Sequence, residues 1–93
     1  MNKVKRQKFP HGTYHIIWRK PRKAHGMCGS PNEKKIWLNP NLKGKKFLQV
    51  ILDESIHAGA WNLDNDWVGA MSADMADFLW KIGFRLVKNC KSI

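Results

Sequence analysis

Apolar and polar positions follow two different periods along this chain, and the change from one to the other divides it. From Thr13 to Trp18, β-branched and aromatic residues crowd together, which predicts a strand. Arg19-Lys20-Pro21-Arg22-Lys23 ends it with a proline and four charges. Glycines, Ser30 and Pro31 make residues 24–32 an expected loop, after which Lys35-Ile36-Trp37-Leu38 predicts a second short strand closed by Asn39-Pro40. The two strands are expected to pair antiparallel across the loop. The period then lengthens. Phe47, Leu48, Val50, Ile51, Leu52 and Ile56 form a helical stripe from about Lys45 to Ala60, with Gly59 near its end.

Leu63-Asp64-Asn65-Asp66 offers several helix N-caps, and Trp67, Val68, Met71, Met75, Phe78, Leu79 and Ile82 recur at three- and four-residue steps up to Gly83. This second helix is expected to pack on the first, with Met71 and Met75 in the core. Phe84 to Val87 reads as a final strand or a helical extension. Residues 1–12 have no sustained apolar period and read as a basic flexible arm leading into a turn at Pro10 and Gly12. The expected organisation is that arm, one domain over residues 13–88 and a frayed C-terminus at 89–93. The fold class is α+β, a short antiparallel hairpin or sheet packed on two principal helices.

A chain of 93 residues holds one modest core. The five tryptophans, at 18, 37, 61, 67 and 80, are expected to supply much of it. Apolar runs such as Phe47 to Leu52 are far shorter than the ~20 residues that span a bilayer, and no apolar segment follows the basic N-terminus. A soluble, unexported, cytoplasmic protein is the expectation, without membrane contact. Cys28 and Cys90 then read as reduced thiols, Cys28 in a loop. His25-x-x-Cys28 supplies only two of the three or four ligands that zinc needs. Charge adds a stronger signal. Residues 1–46 hold thirteen Lys/Arg and one acid, Glu33, whereas residues 47–93 hold four Lys/Arg and six acids. So basic a half suits phosphate backbones or an acidic protein partner, although solvated lysines that only confer solubility have the same composition.

One segment carries candidate chemistry. Asp53 and His57 are four residues apart on the first predicted helix and share a face, with Glu54 beside them. In a His-Glu-x-x-His metallopeptidase, two histidines hold zinc and the glutamate takes a proton from the metal-bound water. Here the pattern is Asp-Glu-x-x-His. Carboxylate oxygen is an admissible zinc ligand, but its charge lowers the Lewis acidity of the metal. Each residue also has a plainer reading: solvated helix carboxylates at 53 and 54, a satisfied imidazole at 57, and a helix cap at Asp64 or Asp66. His11, His15 and His25 precede the helix, and nothing in their spacing selects one as a further ligand.

The neighbouring sequence extends the motif. Leu48-Gln49-Val50-Ile51-Leu52-Asp53-Glu54-Ser55-Ile56-His57-Ala58, then Trp61-Asn62-Leu63-Asp64, Ala73-Asp74-Met75-Ala76 and Leu79-Trp80-Lys81-Ile82-Gly83-Phe84-Arg85, resembles a family of small phage-encoded zincin-like proteins. The resemblance covers roughly residues 26–86. It implies a zincin-like domain with Glu54 as general base, His57 as a zinc ligand and an acid of the 64–66 turn, Asp66 first, as the third ligand. Asp53 stands where the family has its first histidine, and Asp66 where a glutamate is expected.

Two functions follow as expectations. One is a zinc-dependent peptide hydrolase, with Asp53, His57 and Asp66 around the metal and Glu54 activating water. The other is an inactive scaffold that binds through its basic half. Its partner would be nucleic acid, contacted nonspecifically, or an acidic host or virion protein such as a polymerase subunit. Lys3, Lys5, Arg6, Lys8, Arg19, Lys20, Arg22 and Lys23 would make the contacts, with Tyr14, Trp18 and Trp37 stacking on a single strand. Oligomeric state is not encoded in any recognisable pattern.

Overall fold

The computed structural model describes residues 3–85. Four strands, β1 (Arg6–Phe9), β2 (Gly12–Trp18), β3 (Gly26–Cys28) and β4 (Lys35–Leu38), precede two helices, α1 (Gly44–Gly59) and α2 (Asn65–Lys81). The strands form one mixed sheet in the order β1-β2-β4-β3. α1 packs across one face of this sheet and α2 packs on α1. The α+β architecture is as the periodicities predict, and both helices start and stop within two residues of the expected positions.

Sheet pairing differs from expectation in two respects. β2 and β4 are parallel, with Ile16 opposite Ile36 and Trp18 opposite Leu38. The expected loop between them contains β3, which occupies the edge and returns antiparallel along β4. β4 can therefore enter between β2 and β3 in the same direction as β2. Part of the expected basic arm is also strand. Arg6 to Phe9 pairs antiparallel with β2, turning through Pro10 and His11 into Gly12, whose φ of +129° favours glycine. The Val4 carbonyl accepts from Trp18 Nε1 at 2.8 Å. Cationic side chains on an edge strand hide its two-residue period from a hydrophobicity reading.

The core lies between sheet and α1. Tyr14, Ile36, Leu38 and Cys28 project from one face of the strands onto Phe47, Val50 and Ala58 of α1. Cys28 is therefore a buried strand thiol and not a loop thiol, while Cys90 lies outside the described residues. The tryptophans contribute less than expected. Trp18 tilts onto Phe47 with ring centroids 6.1 Å apart, but Trp61 and Trp67 are exposed. On α2 the buried residues are Val68, Ser72 and Ala76, whereas Trp67, Met71, Phe78 and Ile82 of the apolar stripe face outward. Small side chains let α2 approach α1 closely and turn the larger ones away. Asp77 ties the pair together, 3.3 Å from Lys45 and 2.9 Å from Lys81, and these bonds hold its carboxyl below the usual range. Phe84 and Arg85 are neither strand nor helix; the rest of the predicted last element and the frayed terminus lie outside the described residues.

Candidate functional site

α1 presents Asp53, Glu54 and His57 to a cleft of about 810 Å³. Gly26, Met27 and Cys28 of the edge strand form one wall, and Trp61, Asp64, Asn65 and Gly69 form the other. Two backbone features shape the opening. Gly26 lies so close to α1 that a Cβ there would sit 2.6 Å from Val50 Cγ1 and 3.1 Å from Glu54 Oε2. Asp64 accepts a hydrogen bond from the Trp67 N–H at 3.0 Å and so starts α2 at the rim, the cap expected for that turn.

The three helix residues occupy different environments. Glu54 is buried under β3, and loss of solvation followed by the nearby Asp53 carboxylate pushes its carboxyl up to about 8. Asp53 Oδ2 stands 3.7 Å from His57 Nε2, and its Oδ1 lies 3.1 Å from the buried Ser72 hydroxyl of α2. That hydroxyl has one proton, and the Val68 carbonyl at 2.8 Å competes for it. Trp61 meets the His57 ring edge-on. Cys28, at the cleft wall, has its thiol raised to about 12 by burial and then by Glu54 and Glu33, so it is held as a neutral thiol.

A catalytic zinc needs three protein donors and an open position. Asp53 and His57 converge as two. Asp66, the expected third ligand, is exposed in the first turn of α2 and does not line the cleft. Asp64 does line it, but its carboxylate caps the helix. Among the described residues no group of three or more His, Cys, Asp or Glu side chains stands close enough to hold a metal ion. The described donor set is one group short of a zinc site. On the α2 side Gly69 lines the cleft, and nothing lies within 4 Å of its missing Cβ.

The cationic residues singled out from sequence, Lys3, Lys5, Arg6, Lys8, Arg19, Lys20, Arg22 and Lys23, are all exposed. They fall on three pieces of structure: the chain before β1, the strand β1, and the connection from β2 to β3. Two of the three aromatic residues expected to stack are unavailable. Tyr14 is fully buried and Trp18 packs on Phe47. Trp37 projects to the opposite side of the sheet and is partly exposed. Lys35 and His15, which stand outside those eight cations, lie in register with Arg6 on that same side. Strict alternation along each strand is the signal that would have grouped them.

Among the described residues no helix is long and apolar enough to cross a membrane. Compared with family models, curated proteins and solved structures, this small α+β chain matches none.

Proposed function

We propose that the chain is a zincin-like scaffold working as a binding protein, with nucleic acid as its partner, held mainly through phosphate contacts. The observation that carries this reading is the separation of charge by side. None of the four strands contains an acidic residue, and six of the seven acids lie on the two helices or at their ends. On their own layer the exposed cations of β1, β4 and the connection after β2 meet a single acid, Glu33 in the connection between β3 and β4. A polyanion approaching from that side meets a net positive potential at short range. In the cleft, the described residues bring together two of the three protein donors that a catalytic zinc takes.

Binding of the full chain to a labelled oligonucleotide tests this directly. If six or more phosphates are neutralised, affinity falls by about a thousandfold or more between roughly 50 and 200 mM salt. Absence of binding at low salt, or an affinity indifferent to salt, rejects the reading and points to an acidic protein partner with a specific interface.

Glu54 favours a second reading, peptide hydrolysis in the cleft, because a carboxyl held near 8 beside the edge strand of the described sheet is suited to moving a proton at neutral pH. Zinc at one equivalent in untagged protein, lost to chelator together with thermal stability, would place hydrolysis ahead of binding.

A further inference from the structure

The geometry points to the helix-free face of the sheet as a platform for single-stranded nucleic acid, with bases stacking on Trp37 and phosphates held by the cations on either side of it. This inference rests on the nucleic-acid reading and specifies where and in what form the strand is bound.

The face follows from the register. Tyr14, Ile16, Ile36, Leu38 and Cys28 point toward α1, so their strand neighbours point away from it. Three aligned rows result. Lys8 lies opposite Thr13. Arg6, His15 and Lys35 then line up across three adjacent strands. Next, Ile17, Trp37 and Met27 line up across β2, β4 and β3. Beyond this last row the chain leaves β2 and enters β3 through Arg19, Lys20, Arg22 and Lys23. The apolar row is thereby flanked by positive charge along both directions of the strands.

Both described helices lie on the other side of the sheet, so neither covers these rows. Met27 is 43% exposed and Trp37 is partly exposed. Successive rows are separated by two strand residues, roughly 6.6 Å, a separation that lets a base rest on the indole while its phosphate reaches the Arg6 to Lys35 row. Stacking is tolerant of sequence because every base has a π-face, and the cations read only the backbone. A duplex keeps its bases stacked on one another, so it can use the cations but not Trp37.

The test uses the full chain with a labelled oligothymidylate and, in parallel, a duplex of equal length. Single strand should bind more tightly than duplex and quench tryptophan fluorescence. Trp37→Ala should weaken single-strand binding about 5- to 150-fold and leave duplex binding nearly unchanged. Trp37→Phe, which preserves an aromatic face, should recover part of that loss. Because Trp37 is partly buried, the exposed pair Arg6→Gln and Lys35→Gln provides a second arm that spares packing. That double variant should make the slope of log affinity against log salt shallower by about 1.4 for the single strand. Nucleic-acid binding that ignores Trp37→Ala and the Arg6/Lys35 pair, or that prefers duplex, overturns the platform but leaves the broader binding function standing. No binding of either form overturns both.

Discussion

Glu54 is the residue whose environment departs furthest from that of a solvated side chain of its type. Burial beneath β3 and the Asp53 carboxylate raise its folded value from about 4.5 to about 8. The unfolded chain therefore releases this proton at lower pH than the folded chain. Between those two values the folded state binds more protons, so stability falls as pH rises, and the loss is complete above about 8. Glu54→Gln, which keeps the shape and removes the charge, should flatten that decline. Urea denaturation at about pH 5, 7 and 9 should show the variant near wild type at the lowest pH and more stable by on the order of a few kcal/mol at the highest. Parallel curves for the two proteins would show that Glu54 is solvated. The same burial explains why the motif reading was incomplete at this scale. Asp-Glu-x-x-His identified three residues that do share the cleft, but it contained nothing about Ser72, which competes for Asp53 from another helix.

Contacts between elements depend on two glycines that act in opposite ways. At Gly26, β3 and α1 are separated by less than a methyl group requires, since the added carbon would meet the branched Val50 side chain at 2.6 Å. Gly26→Ala should push the edge strand off the helix and cost about 1–3 kcal/mol in chemical denaturation. At Gly69 the space is open, and the helical position gains from a better helix former. Gly69→Ala should stabilise by about 0.5–1 kcal/mol in the same assay. Equal effects from the two substitutions would mean that the close approach at β3 is relaxed in solution. The helices were legible because a 3.6-residue stripe and an Asp64 cap are local signals. Strand direction was not, because the parallel pairing of β2 with β4 depends on where β3 lies, and three residues at an edge leave almost no periodic trace.

Charge is unevenly spread over the whole molecule: the strands carry cations and no acids, six of the seven acids lie on the helices or at their ends together with Lys45, Lys46 and Lys81, and the Asp53 and His57 pair lies in a cleft between the edge strand and α2. That arrangement makes the short donor set open to a constructive test. Asp53→His together with Gly69→Glu places imidazole, imidazole and carboxylate around one side of the cleft, with Glu54 left in position. The double variant should take up about one equivalent of zinc and gain thermal stability that chelator removes, through preferential binding to the folded state. The parent should show neither change, while its nucleic-acid binding should be the same as that of the variant. Failure of the variant to bind zinc would mean that the α1 and α2 faces are set too far apart for a shared metal.

Composition and periodicity by themselves determined the α+β class, the two helices, the acid-cap turn between them and the bias of positive charge toward the first half. All of these depend on residues near one another in the chain. Tertiary structure alone decided that Arg6 joins the sheet, that Arg6, His15 and Lys35 share a row, that Trp37 faces away from the core while Tyr14 and Trp18 face into it, and that Asp66 stands apart from Asp53 and His57. The physical reason is the same in each case. A strand's two faces differ by a single residue of register, and a site shared by two helices depends on how closely they approach. Both are set by the packing of β3, α1 and α2 together, which no segment carries on its own.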